Sequence, residues 1–93
     1  MEDDAFEWSD WKEARNKREH KIGFRLATRA FDDPMVLILP DDSEDYDEDR
    51  FVAIGLIEER IVTVVFTERG DRIRIISAWK SSNHERRTYH QGS

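Results

Sequence analysis

The chain has no cysteine and no long apolar run, and it is short of positive charge. The lack of cysteine excludes a disulfide framework, a thiol nucleophile and thiolate metal sites. It fits a reducing compartment. The longest apolar stretches, Met35–Leu39 and Ile61–Phe66, fall far below the ~20 residues that span a bilayer. The acidic start, Met1–Phe6, has no apolar stretch behind it and so does not read as a secretory or transit peptide. A cytoplasmic protein without membrane attachment is expected. Ninety-three residues make one domain, 1–93, with little room for a closed cavity.

The net charge of −6 hides a partition. Residues 1–11 carry five acidic and no basic side chains, and Asp41–Asp49 carries seven acidic and no basic ones. Residues 12–25 and 69–93 each carry six basic and two acidic side chains. An acidic total weakens non-specific attraction to polyanions. It leaves room for a local basic cleft, because fields between exposed charges fade over about 8 Å at physiological salt.

Periodicity places the elements. Phe6-Glu7-Trp8 alternates as a short edge strand. Asp10 with Glu13 reads as a capping box opening a helix from about Trp11 to His20. After Gly23, the apolar residues Phe24, Ala27 and Phe31 recur at helical spacing. Asp32-Asp33-Pro34 ends that second helix. Met35–Leu39 lies between prolines and is expected at an edge. Asp41–Asp49 should be an exposed loop. Phe51–Ile57 and Ile61–Thr67 are apolar on both faces, as central strands are, and Glu58-Glu59-Arg60 turns between them. Gly70 supplies positive φ for the next turn. From Arg72 to Ala78 the pattern alternates, with Ile73, Ile75 and Ser77 on one face and Arg72, Arg74 and Ile76 on the other. Ser82 with Glu85 is a second capping box, opening a helix to about Tyr89. The order β-α-α-β-β-β-β-α predicts an α+β fold: a twisted antiparallel sheet with the helices on one face.

Several ordered pieces resemble the BrnT toxin family. Phe6-Glu7-Trp8 followed by Lys12, Asn16 and His20 resembles its opening motif. Ile54-Gly55, Thr67-Glu68-Arg69-Gly70 and Arg74–Ala78 resemble its middle strands, and Lys80, Glu85-Arg86-Arg87 and Tyr89 its last helix. The likeness covers about residues 6–90. The chain departs from the family pattern at Glu19, Lys21 and Trp79, where the family usually has a basic residue, often glycine, and commonly arginine. The resemblance implies a RelE-like fold and a metal-independent endoribonuclease that slows translation. It also implies a BrnA-type antitoxin with a ribbon-helix-helix region, and operator DNA met only through the complex.

Metal-free RNA cleavage needs a base for the 2′-hydroxyl, positive charge on the phosphorane and a proton for the leaving oxygen. Arg69 and Arg74 are the candidates for phosphate contact, since guanidinium grips phosphate oxygens bidentately. Arg74 reads equally as the wet face of a sheet. Glu68 and His20 are the candidate proton-handling pair. Each has a plainer reading, as a turn carboxylate and as a side chain complementing a helix dipole. Lys12 and Lys80 would offset the phosphorane charge. Lys17, Arg18, Arg86 and Tyr89 would bind RNA, although Tyr89 also reads as an anchor of its helix. No cofactor and no metal are expected: His20, His84 and His90 lack ligand spacing, the acidic run lacks the glycine of a calcium loop, and there is no phosphate-binding glycine motif. Ser77 has no glycine-flanked elbow. The alternative is a non-catalytic module that docks an antitoxin and takes part in repressing its operon.

Overall fold

A computed structural model describes residues 1–41 and 49–92. Its elements are β1 (Phe6–Glu7), α1 (Asp10–His20), α2 (Phe24–Ala27), a 3₁₀ turn (Thr28–Asp32), β2 (Leu37–Pro40), β3 (Phe51–Ile57), β4 (Arg60–Arg69), β5 (Arg72–Lys80) and α3 (Asn83–Gly92). The α+β class and the expected element order hold. Apart from its end residues, Asp41 and Asp49, the acidic run expected as a loop lies outside the described residues.

The strands lie in the order β1-β5-β4-β3-β2. The β2–β3, β3–β4 and β4–β5 pairs are antiparallel, and β2 is at an edge, as its prolines required. The sheet is mixed, however. β1 runs parallel to β5, with Phe6 opposite Ile73 and Glu7 opposite Arg74. Two residues whose partners lie about 67 positions away leave no local signal of strand direction.

The helices occupy both faces rather than one. Trp8, Ile22, Phe24, Ala27 and Ala30 close over Ala53, Ile57, Val62, Val64, Phe66, Ile75 and Ala78 on the first face. On the second face Tyr89 of α3 packs with Ile54 and Ile61. β3 and β4 therefore have apolar side chains on both sides because both sides are covered. The second helix keeps its α-form for only one turn and then tightens into the 3₁₀ turn, whose backbone passes close over β3. A Cβ on Gly55 would stand 2.5 Å from the Ala30 carbonyl oxygen, so only glycine permits that approach.

Two further expectations change. Ser9, not Asp10, is the N-cap of α1, and no side chain bonds there. The Glu13 carboxylate instead accepts the Phe24 amide at 2.8 Å, tying α1 to α2. In β5 the register slips between Val65 opposite Ser77 and Phe66 opposite Ile75. Ile76 is thus an extra, bulged residue. Past the bulge the alternation reverses: Ala78 joins Ile75 in the core, while Ser77 and Trp79 turn to the second face.

Candidate active site

Lys12, Asn16 and His20 are four residues apart and share one face of α1. Asn16 sits at the middle of that face and is 4% exposed. Its Nδ2 donates to the Ala78 carbonyl at 2.8 Å and to the Ile22 carbonyl at 2.9 Å. Its Oδ1 accepts the Ala78 amide at 3.1 Å and the Ser77 hydroxyl at 3.2 Å. One side-chain amide thus pairs with β5 as a neighbouring strand would, beyond the point where β1 stops. This fixes the height of α1 along β5.

One turn further on, the ring of His20 lies 6.0 Å from that of Trp79, tilted by 47°. Glu19, His20, Trp79 and Lys80 line an open groove at this junction. The His20 imidazole is partly exposed, and Nε2 stands 3.9 Å from a Glu19 carboxylate oxygen. The Trp79 indole N–H donates to both oxygens of Glu85, at 3.0 and 3.3 Å. Glu85 also accepts the Ser82 amide at 2.7 Å, and the Ser82 hydroxyl accepts the Glu85 amide at 3.1 Å. The second capping box is therefore formed as expected, and it holds the tryptophan as well as the helix.

The structure brings His20 and Lys80 together and puts Lys12 on the same helix face as His20. It does not bring Glu68 to His20. Glu68 is opposite Ile73 at the far end of the β4–β5 hairpin, six residues before Trp79, which at ~3.3 Å per residue is about 15–20 Å. Glu68 and Arg69 are exposed there, and neither side chain has a hydrogen-bond or ion-pair partner among the described residues. Arg74 lies between the two ends. It is bound to Glu7 of β1 at 2.8 Å, with both side chains largely sheltered, so its charge is already matched.

The four expected RNA-binding residues are dispersed. Arg18 is exposed on α1, and the stem of Lys17 lies against Gly23 rather than the groove. Arg86 donates to the Ser81 carbonyl at 2.9 Å and to Asn83, within its own helix start. Tyr89 is buried, and its hydroxyl donates to Asp33 at 2.5 Å. That bond, with burial, pushes the phenol up to about 12. Burial works to raise the Asp33 carboxyl, but the Tyr89 hydroxyl and the amides of Leu56 and Met35 outweigh it and hold it below the usual carboxylate range. Tyr89 therefore anchors α3, with its hydroxyl engaged by Asp33.

Asn16, Glu19 and Glu85 are site residues that spacing alone does not reveal. Asn16 had a signal, a carboxamide in line with Lys12 and His20. Glu85 had one as a capping residue only. Among the described residues no group of three or more His, Cys, Asp or Glu side chains is placed to hold a metal ion. Nor is any described helix long and apolar enough to cross a membrane.

No curated protein matches the chain. A family model does, that of the ribonuclease toxin BrnT of type II toxin–antitoxin systems, over residues 8–85. That span begins just after β1, takes in α1, α2 and strands β2 to β5, and ends in the first turn of α3. The chain belongs to the BrnT family of ribonuclease toxins of type II toxin–antitoxin systems.

Proposed function

We propose that the protein is a metal-independent endoribonuclease whose chemistry is centred on His20, and that a BrnA-type antitoxin neutralises it in the cytoplasm. The observation that carries this reading is the groove where His20, Glu19 and Lys80 meet at the α1–β5 junction. An imidazole can take or give a proton near neutral pH. In the proposed reaction the RNA 2′-oxygen attacks the adjacent phosphorus and the 5′-oxygen leaves with a proton. The products are a 2′,3′-cyclic phosphate and a 5′-hydroxyl. His20 moves the proton, with Glu19 beside it as the carboxylate that orients the ring. Lys80 and Lys12 supply charge to the phosphorane. Arg69, Arg18 and Lys17 act at longer range on the RNA backbone, where charge matters more than placement, while Arg74 is held by Glu7. Glu68 then serves its own turn rather than the chemistry.

The antitoxin's ribbon-helix-helix region would bring the pair to operator DNA. The exposure of the groove supports a partner that covers it. The test is purified protein with single-stranded RNA in excess EDTA. Fragments ending in cyclic phosphate are expected. Intact RNA in EDTA that is cut when magnesium is restored rejects metal independence. Intact RNA in both leaves the antitoxin-docking module, which the pairing of Arg74 with Glu7 favours.

A further inference from the structure

We propose that Trp79 is a stacking platform for one unpaired nucleobase of the substrate, making single-stranded RNA the form that is bound; this rests on the ribonuclease reading of the same groove. Three observations carry it. First, the indole lines the open groove beside His20 and Lys80, so a base on its face has a proton-carrying ring and a cation for its phosphate within one nucleotide's reach. Second, the ring is fixed. Its N–H is held by both oxygens of Glu85, and Glu85 is itself locked by the Ser82 amide. Third, that N–H is the indole's only polar hydrogen, and it is already satisfied. What remains for a ligand is a rigid apolar π-surface.

A nucleobase needs nothing else, because every base has a π-face. The imidazole of His20 lies 6.0 Å from the indole at a tilt of 47° and so is not stacked flat upon it. The bulge at Ile76 is what turns Trp79 to this face. Without it the indole would enter the core and Ala78 the groove.

The test uses the full chain and a non-cleavable 2′-O-methyl RNA hexanucleotide, intact or with one abasic position at a time, titrated by fluorescence anisotropy. In the wild-type protein one abasic position is expected to weaken binding about 5- to 100-fold, the worth of one base–aromatic stack. In Trp79→Ala the intact oligonucleotide should bind as weakly as that abasic one does to wild type, and the abasic penalty should vanish. Trp79→Phe should keep most of it. The wild-type scan needs no variant to fold. If no abasic position costs more than about twofold, or if Trp79→Ala binds the intact oligonucleotide like wild type, the platform is overturned. Cutting of unmodified RNA, followed in parallel, separates the two readings. Cleavage without base-dependent binding overturns the platform and leaves the nuclease. Base-dependent binding without cleavage keeps the platform and overturns the nuclease.

Discussion

The two ends of the β4–β5 pair gather candidate functional side chains in opposite circumstances. At the hairpin end Glu68 and Arg69 stand in solvent. At the other end His20 and Trp79 are placed by contacts that converge from α1, β5 and α3, with Lys80 next in the strand. A general acid or base must stay within hydrogen-bond reach of the atom it serves, and only the second end restrains its groups that closely. A phosphate clamp tolerates a looser arrangement, because long-range attraction does most of its work.

The largest effect expected from this contrast is that of His20→Ala. It should lower kcat for RNA cleavage about 100- to 10,000-fold, the usual range for loss of a proton-transfer group, with an unchanged melting temperature. Arg69→Ala should cost under about tenfold, expressed in KM and in a shallower dependence on salt. A larger loss from Arg69→Ala would reverse the ranking of the two ends.

Asn16→Ala removes the piece that registers α1 on β5. It leaves the buried Ala78 amide and carbonyl without partners, at about 2–4 kcal/mol. A thermal melt should shift down by more than about 10 °C. A smaller shift would mean that α1 is seated by packing alone.

Tyr89→Phe acts on the far side of α3. Loss of a hydrogen bond to a charged acceptor should cost about 1.5–3 kcal/mol without changing cleavage. The sign of the pH dependence follows. The folded phenol is raised to about 12, so its stabilisation is complete below the unfolded phenol's range near 10 and is lost as pH rises through about 12. The folded Asp33 carboxyl is depressed. Its contribution is present above the ordinary carboxylate range and is lost as pH falls through the lowered value. Urea melts of the variant and wild type between pH 3 and 11 test both arms.

The smallest effect is a gain. Lys21 follows α1 with φ of 64°, a left-handed position that glycine adopts without a Cβ penalty. Lys21→Gly should add about 0.5–1 kcal/mol and leave His20, its neighbour, in place. A loss would show that the Lys21 bond to the Arg18 carbonyl outweighs the strain.

Much of the fold was legible because its cause is local. Apolar runs in β3 and β4, Gly70 in its turn (φ 60°) and the Ser82–Glu85 box are each decided by residues close in the chain. What was not legible depends on distant partners. The Glu13 carboxylate had two amides within its means, and the Phe24 amide eleven residues on won over its own helix start. The bulge at Ile76 shows only against β4. Missing it put Ser77 on the wrong face and hid the setting of Trp79. For the site, residue types pointed to His20, Lys12 and Lys80, which the fold gathers about the α1–β5 junction. Pairing His20 with Glu68 failed because nothing in the sequence says at which end of β5 the helix α1 docks.

The carboxamide of Asn16 has a consequence for crowding. Among the described residues β5 has no strand on its outer side beyond Arg74, and such a margin invites the backbone of another molecule to add itself there. By filling both polar groups of Ala78, the amide denies them to such a strand. Losing that one uncharged side chain would open this margin, so Asn16→Ala is expected to clump more readily than the wild type.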